Sequence, residues 1–573
     1  MNYEYSEHAI TLLKNFYMIN GETTPEDSFK RASYAFSAGD DSLAERILSY
    51  VKNGWFMFSS PILSNARLDD SKTGLPISCF LSYVPDTVEG LIDHSTELRW
   101  MSIMGGGVGG HWSDIRSVSN KAPGPIPFIK TVDSDVEAYK QGLTRKGSYA
   151  TYIDVSHPDI IEFINLRVPT GGDTNRKCFN INNAVCLTDK FMNAVADGLE
   201  WQLIDPHSKE VKDTVDARDL WQRILEVRFR TGEPYFFFTD TANKALPEPL
   251  KQKGLKIHGS NLCNEIFLPT DKERSAVCCL SSLNLEYFDE WKDTTIIEDC
   301  ITFLDNVLQH FIEKAPKQLH KAIYSAIQER SLGLGTMGFH SLLQKNNIAW
   351  ESPMAKGLNR RVFKHIKDKA VQQTEKLAVE RGEYLDGIGY GKRNSHLLAI
   401  APNANSAIIL NTSPSIEPWK SNAFTHRTRA GSYLQKNKYL DLLLLKIFKD
   451  DETKYNETWQ SIILNKGSVQ HLDFLTEYQK GVFKTAFELN QAWLIEHAAD
   501  RQEFICQGQS LNLFFPAGSD KAYVNYVHIL AWKKGLKGLY YLRTDSGATA
   551  QKISEKIERK ALKDYDECVS CQG

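Results

Sequence analysis

Asp219 to Arg230, stopped by Gly232 and followed at once by Tyr235-Phe236-Phe237-Phe238, is the stretch that decides the fold class. The first part reads as a helix, and glycine suits its C-cap because it enters the left-handed region without a Cβ clash. Four consecutive aromatic residues straight after it have the composition of a buried strand. Upstream, Thr188 to Ala196 stopped by Gly198 repeats the helix signal, and Leu43 to Val51 places apolar residues three and four apart. A short strand-like run surrounds Ile77-Ser78-Cys79-Phe80-Leu81, and a helix through Leu98-Arg99-Trp100-Met101 ends in Gly105 to Gly110. This alternation continues to Tyr541, so the body reads as α/β.

The 573 residues exceed one small domain. Hydrophobic residues make up 42% and charged residues 24%, which excludes wholesale disorder. A net charge of −3 gives no footprint for a nucleic-acid polymer, and the longest apolar runs, such as Leu442 to Leu445, are far too short for a membrane span. The first residues have neither a basic nor an apolar leader pattern. Ten cysteines in such a chain point to a reducing cytoplasm and to thiols with separate tasks. From Ala550 the composition turns to Lys and Glu, ending in Cys568-Val569-Ser570-Cys571, which reads as a mobile redox tail.

Several motifs carry chemistry. Gly333-Leu334-Gly335-Thr336-Met337-Gly338 matches a dinucleotide fingerprint literally, but a helix rather than a strand precedes it, so a tight turn or close helix packing is the reading. Ala399 to Ile408 looks like a strand leading into a helix capped by Asn403 or Asn405, whose free N–H groups attract phosphate. In Asn261-Leu262-Cys263-Asn264-Glu265, an extended backbone would turn Asn261, Cys263 and Glu265 to one face. Cys278 and Cys279 are adjacent, so any disulfide needs a distant partner, and Cys79 lies far upstream. Zinc needs four ligands, and the terminal pair is the only CxxC, so no metal site is expected. On a regular strand Tyr540 and Tyr541 would point to opposite faces; stacking needs a local irregularity.

Together, Asn261-Leu262-Cys263-x-Glu265, Cys278-x-Leu280-Ser281-x-x-Asn284-Leu285, Tyr540-Tyr541 and the terminal cysteines resemble the large (catalytic, α) subunit of a class I ribonucleotide reductase. The resemblance implies a ten-stranded α/β barrel over 59–549 with a cysteine-bearing finger loop, an N-terminal helical region over 1–58 and a flexible redox tail over 550–573. With only 59 residues before Ser60, it also implies a form lacking the N-terminal ATP cone. Cys263 would become the thiyl radical, Glu265 the general base and Asn261 a sugar-orienting group. Cys79 and Cys278 would supply two electrons and become a disulfide, which Cys568 and Cys571 would reduce. Tyr540 and Tyr541 would relay the radical.

Ser60, Asn403, Ala404, Asn405 and Ser406 fall where the family holds the substrate diphosphate. Gly106 and Gly107 fall where its backbone approaches the sugar and base. Asp86 and Arg116 match the specificity effector site, and Gly171 to Phe179 the loop that communicates with it. No tightly bound cofactor is expected on this chain. A nucleoside triphosphate effector with Mg is implied, as is a dinuclear metal radical cofactor on a small (β) subunit. A thioredoxin or glutaredoxin-type reductant and a homodimer complete the expected partners. The nearest alternative is an adenosylcobalamin-dependent class II reductase, against which the tyrosine pair argues. A thiol redox or nucleotide-sensing protein would leave Cys263 and Glu265 unexplained.

Overall fold

The computed structural model describes residues 3–68, 74–139, 147–428, 431–449 and 451–545. Three helices, Glu7–Phe16, Pro25–Ala35 and Asp41–Lys52, form the lead-in. Their first turns have N–H groups without helical partners, and polar side chains take up some of them. Ser6 Oγ accepts from Ala9 at 3.1 Å and Asp40 from Leu43 at 3.0 Å. Leu13, Phe29, Ile47 and Val51 then bury into the core that also covers the outside of the main sheet.

The body is a curled mixed sheet. Five parallel strands, Cys79–Tyr83, Gly107–His111, Ser148–Asp154, Asn182–Leu187 and Tyr235–Phe238, lie side by side in that order. Ala276–Asn284 runs antiparallel against the first of them, with Leu332–Met337 parallel on its far side. At the opposite end Gly538–Leu539 pairs antiparallel with Tyr235–Phe238. Two irregular segments close the circuit. The bridge Leu334–Leu398 joins 397–400 to the sheet, Ile400–Gln509 joins 508–513 to that segment, and the Tyr540 N–H donates to the Leu511 carbonyl at 2.9 Å. Eight of the sheet's nine regular strands and two segments thus make the ring of ten that the resemblance implies; the ninth, Phe56–Phe58, pairs antiparallel with Ala276–Asn284.

Alternation along each strand sorts side chains into two cores. Phe80, Val108, Tyr149, Val185, Phe236 and Val277 face the surrounding helices. Cys79, Leu81, Tyr152, Cys186, Tyr235 and Cys278 belong to a second cluster inside the ring, together with Leu262, Cys263 and Ile266 of a strandless loop.

One local reading needs correction. Gly333 to Gly338 is not a turn: Leu332–Met337 is a fully buried strand, and only Gly338 turns, at φ +83° before the helix Phe339–Lys345. A Cβ on Gly335 would lie 2.6 Å from the Ala399 carbonyl oxygen, so these glycines let two backbones approach closely. The Gly105 to Gly110 cluster likewise holds a strand, Gly107–His111.

Candidate active site

Cys79 opens its strand, and the antiparallel register makes Cys278 its direct Cα partner. Cross-strand neighbours carry Cβ atoms about 4.5–5.5 Å apart, close to disulfide geometry. Both thiols belong to the inner cluster and both are buried. Burial pushes the Cys278 thiol well above the ordinary thiol range. Gln507 Nε2, donating at 3.3 Å, and the Ser331 hydroxyl at 3.9 Å oppose that shift, while Cys79 and Glu265 add to it electrostatically.

The loop that carries Cys263 threads past a glycine. A Cβ on Gly109 would sit 1.8 Å from the Ser260 carbonyl oxygen and 2.9 Å from Asn261 Cα, so only glycine lets the loop lie against this strand. Tyr152 then donates its hydroxyl to the Asn261 carbonyl at 2.7 Å. The expected extended geometry over Asn261 to Glu265 is not what forms. Asn261 Oδ1 accepts from the N–H groups of Glu265 (3.0 Å) and Ile266 (3.1 Å), folding the segment into a turn with Asn264 at φ +61°. Asn264 Nδ2 pins the turn to the Phe236 carbonyl at 3.0 Å. Ser510 Oγ lies 2.6 Å from the Cys263 carbonyl and 3.0 Å from Glu265 Oε2 and joins the two residues as donor. Asn261, Cys263 and Glu265 are all at 0% exposure. Three thiols and a carboxyl therefore share a dry interior, where a reactive intermediate is shielded from water.

Tyr540 and Tyr541 fall where the chain leaves one sheet for another: Gly538–Leu539 pairs with Tyr235–Phe238, whereas Leu542–Thr544 pairs with Leu513–Phe515. That break brings the two rings together, with centroids 4.3 Å apart and planes tilted by 54°, a close pair rather than a parallel stack. Tyr235 packs against both, at 4.8 and 4.9 Å. Asn182 Nδ2 donates to the Tyr541 hydroxyl at 2.7 Å and to the Tyr235 hydroxyl at 2.5 Å. Burial raises the pKa of Tyr235 and of Tyr541 above the usual phenol range, so both remain protonated.

Asn403 precedes the short helix Ala404–Ile409 but does not cap it with its side chain. It sits at φ +56°, donates to the Thr336 carbonyl (2.9 Å) and accepts from the Ser282 hydroxyl (2.9 Å). Asn405 donates to Tyr17 Oη at 3.0 Å, and Tyr17 Oη lies 2.8 Å from Ser60 Oγ, so a lead-in tyrosine links two of the expected phosphate residues. Ala404 and Ser406 lie on the same helix. Gly107 is the register partner of Cys79, with Gly106 just before it.

Asp86 and Arg116 are brought together elsewhere, beyond the C-terminal ends of the first two parallel strands. Arg116 Nε lies 2.8 Å from Asp86 Oδ2, and His207 Nδ1 lies 3.3 Å from the same oxygen. In the Gly171 to Phe179 loop, Arg176 pairs with Glu162 and Lys177 Nζ donates to the Asn165 carbonyl at 2.9 Å. Cys568 and Cys571 lie outside the described residues.

The family Ribonucleotide reductase, barrel domain matches residues 77–387 and 385–542, and Ribonucleotide reductase, all-alpha domain matches 3–71. A Frog virus 3 (isolate Goorha) protein named as a ribonucleoside-diphosphate reductase large subunit is 54% identical, over 94% of this chain and 94% of that one. The ribonucleoside-diphosphate reductase large subunit of Invertebrate iridescent virus 3 is 42% identical, over 98% of this chain and 97% of its own. The class Id ribonucleotide reductase alpha subunit of Actinobacillus ureae superposes with a TM-score of 0.83 at 37% identity, covering 95% of this chain and 98% of that structure. The chain belongs to the ribonucleotide reductase large-subunit family. Its fold is that of a class I α subunit.

Within this ribonucleotide reductase fold, several side chains that touch the expected site residues went unread in the sequence. Ser510 and Gln507 contact Glu265 and Cys278 from one irregular segment of the ring. Tyr235 was read only as part of an aromatic strand. Tyr17 sits in a helical lead-in with no local feature to mark it. Each acts through a contact across more than forty positions of sequence, which no short motif displays.

Proposed function

We propose that this reductase converts ribonucleoside diphosphates to 2′-deoxyribonucleoside diphosphates at the interior cysteines. A radical-generating small subunit supplies the oxidising equivalent from its dinuclear metal cofactor. Tyr541 and Tyr540 pass it to Cys263, whose sulfur takes the 3′-hydrogen atom of the ribose. Glu265 accepts the 3′-hydroxyl proton and Asn261 orients the sugar. Cys79 protonates the departing 2′-hydroxyl, which leaves as water; the Cys278 thiol hydrogen fills the vacated position on C2′, Glu265 returns its proton to the 3′-oxygen, and Cys79 and Cys278, having given two electrons, become a disulfide. The 3′-hydrogen then returns from Cys263, so the radical is regenerated. Cys568 and Cys571 reduce the disulfide by exchange and are recharged by a thioredoxin or glutaredoxin-type donor in the cytoplasm.

The observation that carries this reading is the inward-facing register pair Cys79–Cys278 in one buried cluster with Cys263 and Tyr540. Ser60, Asn403, Ala404, Asn405 and Ser406 would hold the diphosphate, and Gly106 and Gly107 would let the nucleoside lie close to the backbone. A nucleoside triphosphate with Mg would bind at Asp86 and Arg116 of a homodimer. For that ligand to enter, the Asp86–Arg116 pair, 18% and 43% exposed at the side chains, would have to open.

The purified chain with a metal-loaded small subunit and dithiothreitol should form deoxynucleotide, and Cys263→Ser should form none. Product on adding adenosylcobalamin without a small subunit, or normal turnover by Cys263→Ser, would overturn the reading.

A further inference from the structure

We propose that His111, Asp154 and Cys186 form a zinc-binding site inside the barrel, at the end of the parallel strands away from the cysteine pair. The three residues come from neighbouring strands: Asp154 is the register partner of Cys186, and His111 is the partner of Tyr152, two residues before Asp154. Alternation therefore turns all three to the inner face. One ring nitrogen, one carboxylate oxygen and the sulfur lie within 4.8 Å of one another, the one such group of three among the described residues. Cys79 and Gly107 begin their strands, whereas His111 and Asp154 end theirs, which separates the two sites by four residues, about 13 Å along the sheet.

The donor set selects the metal. Imidazole, carboxylate and thiolate suit a borderline-soft ion such as zinc and not the all-oxygen preference of magnesium or calcium. Ligand atoms about 2.0–2.3 Å from one zinc ion lie no more than about 4.5 Å apart, so small side-chain adjustments close the site. Binding displaces the Cys186 thiol proton to solvent. The divalent ion then meets one thiolate, one carboxylate and a neutral imidazole, which leaves no net charge in the interior. The buried His111 Nδ1 has no hydrogen-bond partner in the structure. Asp154 is the least buried of the three. Its side chain is 39% exposed, which gives the ion a way in.

His258 stands over the cluster. Its ring centroid is 5.1 Å from that of His111, and its carbonyl lies 3.7 Å from Cys186 Sγ. The fourth position falls to its ring or to water. His258 precedes Cys263 by five residues, so the ion would fasten the base of the finger loop to the barrel wall.

The sequence expectation of no metal site rested on the absence of a second CxxC. Here the ligands come from three strands and no CxxC is involved.

The test uses the full chain carrying Cys568→Ser and Cys571→Ser, so that the tail thiols cannot bind the probe. After treatment with a chelator under reducing conditions it is titrated with Co2+. One Co2+ per chain should bind, with a near-ultraviolet thiolate-to-cobalt charge-transfer band that Zn2+ abolishes by displacement. Cys186→Ser should lose the band. Asp154→Asn, at a partly exposed position that tolerates a neutral isostere, should keep the fold by circular dichroism and weaken binding at least about tenfold. Absence of bound Co2+, or a band and affinity unchanged in Cys186→Ser or Asp154→Asn, would overturn the proposal.

Discussion

Replacing Gly109 by alanine tests how the finger loop is held. The added Cβ would meet the Ser260 carbonyl oxygen at 1.8 Å, and real Cβ contacts do not fall below 3.0 Å, so strand and loop must separate by at least 1.2 Å. The obstacle is backbone, not a rotatable side chain, so it does not swing aside. Separation strains the Tyr152–Asn261 hydrogen bond of 2.7 Å and moves the turn that begins at Asn261. Overpacking of this kind costs about 1–3 kcal/mol of stability. A displacement of about 1 Å at a reacting group lowers turnover roughly 100-fold. The expected result is a folded Gly109→Ala protein, somewhat less stable in urea, whose deoxynucleotide formation with the small subunit falls by about that factor. Gly110→Ala is the control: its Cβ points the other way, 1.5 Å from Tyr149 Oη on the outer face, and should cost stability more than turnover. Wild-type turnover by Gly109→Ala would refute the account of how the loop is seated.

Three further predictions follow from single side chains. Ser510→Ala removes the donor shared by the Cys263 carbonyl and Glu265 Oε2, so turnover should fall by about one order of magnitude with only about 1 kcal/mol lost in urea unfolding. Tyr17→Phe breaks the link between Ser60 and Asn405 and should raise KM for the diphosphate substrate more than it lowers kcat, read by steady-state kinetics. Glu97 is raised by burial from 4.5 to about 7, despite the Ser275 hydroxyl donating at 2.9 Å. Because the folded value lies above the unfolded one, its stabilising contribution is complete below about 4.5 and lost as pH rises through 7. Glu97→Gln should therefore gain on wild type by up to about 3 kcal/mol between pH 5 and 8, measured by denaturant unfolding at each pH.

What the sequence disclosed was what short range determines. The helix closed by Gly232 and the strand Tyr235–Phe238 form as read, because a left-handed cap and an aromatic run are local signals. Leu332–Met337 escaped because glycine has low strand propensity; its glycines are explained only by the Ala399 and Leu280 atoms pressed against them. Periodicity could not foresee the Asn261 turn, since a side chain accepting two backbone N–H groups overrides an extended backbone. The apposition of Cys79 and Cys278 depends on a register between strands almost two hundred residues apart, and only resemblance to a family suggested it. The tyrosine pair needed the switch between two sheets, which is a property of topology.

The way the ring closes bears on how the chain is made. Tyr235–Phe238 keeps an unpaired edge until Gly538–Leu539 is available to cover it, and the Leu511–Tyr540 contact is equally late. Some three hundred residues separate the two, so at about 5–20 residues per second a ribosome leaves that edge open for roughly 15–60 seconds. During this interval the nascent barrel is an open sheet with an aromatic border, the form most prone to pair with a neighbour. Closure of the barrel therefore waits on a strand made some three hundred residues after the edge it covers.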